Sequence, residues 1–260
     1  MVRGLPARSR LLSVVTGAAI AALMAGCSTT PPAPTVSGKN LTVYYSTLPK
    51  LANDQKAQDV IHAEQLAFDQ FKGQVRGFTL RFLPLKKPLI SDNARTAIED
   101  KSSVAYVGEI EPRTSTDSLG ITNAQDLLQV SPAEGPPVPT DDFQSFSTYG
   151  RTFASMAPGS AQEAQAIAGQ AAGKAFVRDF RTMYGRAPSP QAILGYAATA
   201  AVLTALQRAG SAASNRGTVR DDFFALRRVP LRVGPGGPVL GTYTINGRGT
   251  VTITPASTAP

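Results

Sequence analysis

Residues 93–132 read NARTAIEDKSSVAYVGEIEPRTSTDSLGITNAQDLLQVSP. Two short apolar runs, SVAYVG at 103–108 and LLQVS at 127–131, lie within otherwise polar sequence. A run of this length with no polar alternation reads as a strand covered on both faces, as in a parallel sheet. The stretches between them, 92–100 and 115–125, read as short helices. Strand, helix and strand in this order predict parallel pairing with right-handed crossovers.

Working toward the N-terminus, FTLRFLPL at 78–85 alternates as a strand. Residues 54–71 place Val60, Ile61, Leu66, Ala67 and Phe68 near helical spacing, with Asn53 or Asp54 as cap. LTVYYS at 41–46 is a further strand. Four strands and three helices thus make a βαβ series over 41–132.

Toward the C-terminus, PAEGPPVPTDD at 132–142 excludes helix and central strand and marks a boundary. FSTYGRTFAS at 146–155 suits one strand, and the Ala-rich 160–184 suits one or two helices interrupted by Gly169 and Gly173. PSP at 188–190 starts the strongest helical segment, AILGYAATAAVLTAL at 192–206. A shorter helix over 218–226, a GPGGP turn at 234–238, and a hairpin of VLGTYTI and TVTIT around Asn246 and Gly247 complete the chain.

The first residues carry Arg3, Arg8 and Arg10 without an acid, then an apolar run from Leu11 to Met24, then Ala25 and Gly26 before Cys27. The run is shorter than the roughly 20 residues of a membrane-crossing helix and fits the core of a signal peptide over 1–26. Leu-Met-Ala-Gly before the sole cysteine resembles the bacterial lipobox, which implies lipidation at Cys27; the other reading is an ordinary signal peptide with an incidental thiol. Met24 stands where the lipobox prefers Leu. One cysteine excludes an internal disulfide and a thiolate metal cluster. Residues 27–40 read as a disordered tether, and 255–260 as a disordered tail.

Of the 26 Lys and Arg, three precede Cys27, which leaves 23 against 18 acids. Residues 27–149 hold 11 basic and 14 acidic side chains, whereas 150–260 hold 12 and 4. Such a basic second half is a solvated arginine-rich surface, or one that attracts anionic lipid or an acidic partner. The chain lacks Trp and any aromatic-rich basic block, so nucleic acid is not expected as a partner.

Four stretches together resemble the type I periplasmic binding proteins, the substrate-binding lipoproteins of branched-chain amino acid type ABC transporters. They are YYSTLP at 44–49, the opening 93–132 stretch, RTFASMAPGSAQEAQAIA at 151–168, and FVRDFRTMYGRAPSPQAILGYAATAAVLTAL at 176–206. The hairpin PVLGTYTINGRGT also suits that family's C-terminal end. The resemblance implies two α/β lobes that close on a small polar ligand, with closure read by a membrane permease. Two lobes of ordinary domain size need more chain than this one offers. Residues 151–168 resemble the start of the second lobe, yet the late helices follow almost at once. The expected fold is therefore α/β, periplasmic-binding-protein-like I: mainly one parallel-sheet lobe with flanking helices and a C-terminal hairpin. Its parts are a core at 41–132, a Pro-rich linker and remnant of the second lobe at 133–175, and returning helices with the hairpin at 176–254.

The resemblance places ligand groups at the C-terminal ends of first-lobe strands, where open α/β sheets bind and helix N-termini offer free N–H donors. The matching positions are Ser46, Thr47, Glu109, Arg113, Thr114, Ser115 and Thr116. Ser115 and Thr116 can equally cap the helix that follows. Arg113 suits a carboxylate, or is neutralised by Glu109 or Glu111. EIEPRTST at 109–116 is bulkier and more charged than the family's small-residue loop, and AEGPPVPT at 133–140 lacks the usual hydroxyl donors.

His62, the single histidine, excludes a multi-histidine zinc site and is expected on a solvated helix face. Tyr196 is expected in the core. No cofactor, metal or enzymatic activity is expected. Two functions follow: an extracytoplasmic, lipid-anchored receptor for a small polar solute such as an amino acid, working with a permease; or a single-lobe module that has lost closure and docks another envelope protein.

Overall fold

The computed structural model describes Met1, 33–71, 75–135 and 151–256. The expected signal peptide, Cys27, most of the tether, the heart of the Pro-rich linker and residues 257–260 lie outside those residues. Ala33–Pro260 forms one compact unit.

The chain order is β1 (Asn40–Ser46), a 3-10 turn (Pro49–Leu51), α1 (Gln55–Phe71), β2 (Thr79–Leu85), α2 (Ile90–Glu99), β3 (Ser103–Val107), α3 (Thr116–Asn123) and β4 (Leu128–Glu134). There follow β5 (Phe153–Met156), α4 (Ser160–Gly169), α5 (Ala171–Tyr184), α6 (Ala192–Ala209), α7 (Arg216–Phe224), β6 (Val229–Arg232), β7 (Val239–Ile245) and β8 (Thr250–Pro255). Among the described residues all eight strands form one sheet in the order β2-β1-β3-β4-β5-β8-β7-β6. Pairing from β2 through β5 to β8 is parallel, and β7 returns antiparallel between β8 and β6.

The apolar runs are strands because both their faces are covered: all five residues of β3 are buried. Asp54 caps α1 by accepting from Lys56 N at 2.9 Å and Ala57 N at 3.1 Å, as its short carboxylate next to a helical run predicts. The Ala-rich 160–184 segment is two helices, broken at Gln170 with ψ 165. Gly185, in the left-handed region at φ 75, ends α5 by donating to Arg181 O at 2.8 Å.

Helix α6 is the central post. Its length and apolarity match a membrane span, but 78% of that window is buried within the protein. Small residues let it approach α1: a Cβ on Gly195 would lie 2.5 Å from Val60 O. Tyr196, expected in the core, is fully buried there, packed edge-on to Phe176 with ring centroids 5.3 Å apart. Its hydroxyl lies 2.9 Å from Arg232 O and accepts from Gly234 N at 2.9 Å, which ties the helix to the glycine-rich turn joining β6 and β7.

Two regions differ from the expectation. Residues 151–168, read as the start of a second lobe, supply β5, which lies between β4 and β8 in the same sheet, and then α4. The part of the expected tether that is described is held: Val36 is 6% exposed and donates to Ser214 O at 2.7 Å, and Pro34 O accepts from Arg216 N at 3.1 Å. The apolar side chain of Val36 and these backbone bonds outweigh the freedom that Pro, Ser and Thr suggest. His62 is half-buried rather than solvated, stacked on Tyr184 at 4.2 Å, and burial followed by the nearby Arg186 lowers its pKa.

Candidate functional site

The strand order reverses between β1 and β3, so their C-terminal ends flank the crevice where open α/β sheets take ligands. Ser46 ends β1, and Gly108 and Glu109 follow β3. Gly108, at φ 151, is required there, because a Cβ would sit 2.8 Å from Ser46 Cβ.

Glu109 turns inward and is 0% exposed. Ser46 Oγ donates to Glu109 Oε2 at 2.6 Å, and the Tyr106 hydroxyl donates to Oε1. Glu109 N donates to Ser115 Oγ at 3.2 Å, while Ser131 Oγ donates to Glu109 O at 2.6 Å. Gln129 Nε2 pins the preceding carbonyl, Gly108 O, at 3.0 Å and also reaches Ser118 Oγ at 2.7 Å. The crevice is therefore filled by a carboxylate of the chain itself, with backbone and side chain both held.

Burial pushes the Glu109 carboxyl above its ordinary range, against the opposing hydrogen bonds of Ser46 and Tyr106 and the charge of Lys50. Burial also raises the Tyr106 phenol, helped by the Glu109 charge. Glu64, on α1, is fully buried, and neither carboxyl oxygen is hydrogen-bonded among the described residues. Its pKa stands well above the usual carboxylate value, first through burial and then through Glu109. A carboxyl whose neutral form is favoured by burial thus lies behind the plug.

Of the seven residues expected to meet a ligand, the structure brings Ser46, Glu109 and Ser115 together, with both serines bonded to Glu109. Thr47 Oγ1 donates to Leu85 O at 3.0 Å, Thr114 Oγ1 to Glu111 O at 2.8 Å, and Thr116 Oγ1 to Arg113 O at 3.0 Å. Ser115 stands at the α3 N-cap position, but its hydroxyl serves Glu109 rather than the helix amides. Arg113 is exposed at φ 67 and forms no ion pair among the described residues; Glu111 pairs instead with Lys50 at 2.5 Å. Beside Arg113 an open cleft of about 500 Å³ is lined by Pro112, Glu134, Gly135 and Pro158.

Tyr106, Ser131 and Glu64 complete the site and were not anticipated. Tyr106 sits in a run that reads as pure core. Its alternation with Ala105 and Val107, which places the phenol on the Ser46 side, was the available signal.

No family profile matches the sequence, and no curated protein matches it. Solved structures do. The leucine-binding protein LivK of Thermotoga maritima is similar with TM-score 0.56 at 16% identity, over 81% of this chain and 93% of that one. A putative branched-chain amino acid ABC transporter protein of Rhodospirillum rubrum gives 0.57 at 16% identity, over 84% and 96%. A solute-binding protein of Rhodopseudomonas palustris, in complex with 3,4-dihydroxybenzoic acid, gives 0.56 at 12% identity, over 82% and 90%. These are transport receptors, not enzymes. The chain has the fold of the type I periplasmic substrate-binding proteins, in a form whose described strands make a single sheet.

Proposed function

We propose that this chain is an extracytoplasmic lipoprotein of the substrate-binding class, anchored through Cys27, whose single lobe docks at a transport assembly rather than closing on a solute. The carrying observation is the Glu109 plug. A ligand carboxylate would need the Ser46 and Tyr106 hydroxyls, and both are already committed to an internal carboxylate. An entering ligand would have to displace a buried, hydrogen-bonded group, which costs more than most small-solute contacts return.

A second reading keeps a solute and has one observation in its favour, the open cleft of about 500 Å³ beside Arg113 and Glu134. A guanidinium and a carboxylate across a cleft match the two charges of an amino acid, and a partner subunit would supply the missing roof.

Melting the mature protein with leucine, isoleucine and small carboxylates separates the two. The docking reading expects no shift. A bound solute at 100 times its Kd stabilises by about 2.7 kcal/mol, and such a shift, abolished by Arg113→Ala, would replace docking with solute capture. Mass spectrometry of the mature N-terminus tests the anchor: acyl chains on Cys27 are expected, and an unmodified cysteine would remove lipidation from the proposal.

A further inference from the structure

The ends of the sheet differ in charge. Because β6 is antiparallel to β7, and β7 to β8, strand β6 runs in the common direction, so seven strands start at one end. Six of them are preceded within three residues by a basic side chain: Lys39, Arg76, Lys101, Arg151, Arg228 and Arg248, all exposed. The seventh, β4, is preceded by Asp126, whose carboxylate is held by Arg151 at 2.9 Å and Arg220 at 2.7 Å. Asp100 turns inward to Tyr44 and Ser102, leaving Glu99 beside Lys101 and Asp221, paired with Arg220 at 2.8 Å, as exposed acids at this end. The other five basic residues form no ion pair among the described residues. The opposite end carries both signs, as in the Lys50–Glu111 and Arg95–Asp92 pairs.

The compact unit Ala33–Pro260 also begins at the basic end. Pro34 and Val36 are bonded to Arg216 and Ser214, and the Arg216 guanidinium reaches Ser103 O at the start of β3 at 2.9 Å. Cys27 lies six residues before Ala33, at most about 20 Å of extended chain. A crevice of about 170 Å³ at this junction is lined by Lys101 and Arg216 with Pro34 and Val36.

We infer that the strand-start end of the lobe seats on an anionic lipid surface, with Lys39, Arg76, Lys101, Arg151, Arg228 and Arg248 facing the headgroups. This rests on the proposed export and anchoring. Basic side chains near an anionic leaflet are attracted strongly within a Debye length. The short stretch after Cys27 holds this end within that reach. Lys101 and the crevice beside it suit a headgroup phosphate, and the Glu109 end faces away from the bilayer.

The test uses residues 33–260, which contain every core residue described and lack Cys27, so lipidation does not enter. Sedimentation with vesicles of phosphatidylcholine is compared with equimolar phosphatidylcholine and phosphatidylglycerol. Binding is expected on the anionic vesicles alone, weakening as salt rises. The triple variant Lys39→Glu, Lys101→Glu, Arg248→Glu should lose about 100-fold or more in partition, at roughly fivefold per residue. The control Lys86→Glu, Lys87→Glu, Arg95→Glu, with the same change in net charge at the other end, should keep its binding. Equal loss in both triples would reduce the effect to net charge and overturn the assignment. Absence of binding at low salt would overturn it too, leaving an acidic protein as the partner for this end. Unacylated Cys27 in the full chain would remove the anchor while leaving the vesicle result to stand or fall by itself.

Discussion

Ser46 and Glu109, 63 positions apart in sequence, share a 2.6 Å hydrogen bond across the ends of the first and third strands. The bond joins the two sides of the switch point and occupies the space between them.

Replacing Glu109 by Ala leaves the Ser46 and Tyr106 hydroxyls buried without their acceptor. A loss of about 2–4 kcal/mol is expected, lowering the Tm by about 10 °C for a domain of this size. Millimolar acetate or leucine should then raise the Tm of the variant and not of the natural protein. A variant with an unchanged Tm would show that the plug contributes nothing to the fold.

Glu64 gives the protein a pH dependence. Its folded pKa is well above the unfolded value, so the folded state holds a proton that the unfolded state releases. Its contribution is full below about pH 4.5 and is lost as pH rises toward the folded pKa. Glu109 is shifted the same way. Glu64→Gln should therefore raise the Tm more at about pH 7.5 than at about pH 5. A uniform gain at both would mean that Glu64 does not titrate in this window.

The order of strands and helices over 41–132 was legible because buried parallel strands are apolar throughout and their helices carry caps such as Asp54. Two features were not. The placement of β5 depends on its pairing with β8, a strand far away in sequence, as well as with the preceding β4, and no local pattern reports so distant a partner. The inward turn of Glu109 ran against charge: a carboxylate in a polar loop reads as solvent-facing, and only Ser46, Tyr106, Ser115 and Ser131 meeting in space make its burial tolerable. Hydroxyls in 109–116 looked like donors for a ligand, yet the loop consumes them in its own turns.

Gly195→Ala would press a methyl against Val60 O and Val60 Cγ1, built at 2.5 and 2.8 Å. Because backbone is involved, α1 and α6 must separate, at a cost of about 1–3 kcal/mol. Chemical denaturation should show the lower midpoint; an unchanged one would mean the helices already have slack.

Arg216 is 3% exposed and bonds to the carbonyls of Ser103, Gln125, Ile98 and Asp100 at 2.9 to 3.4 Å, with no carboxylate among them. Burial lowers its pKa. Arg216→Met should cost roughly 3 kcal/mol by leaving those carbonyls unpaired, and Lys should restore only part of it, since an ammonium cannot span four acceptors in a plane. Equal stability of the Lys variant in a denaturant titration would refute the planar requirement.

The pairing of β5 with β8 stitches the outgoing chain to its own return. A clamshell reports its cargo by swinging one half against the other, and here the two strands at that seam are neighbours in a single hydrogen-bonded ribbon. On the docking reading proposed above, whatever meets this protein is registered by occupancy of that continuous surface, without one half swinging against the other.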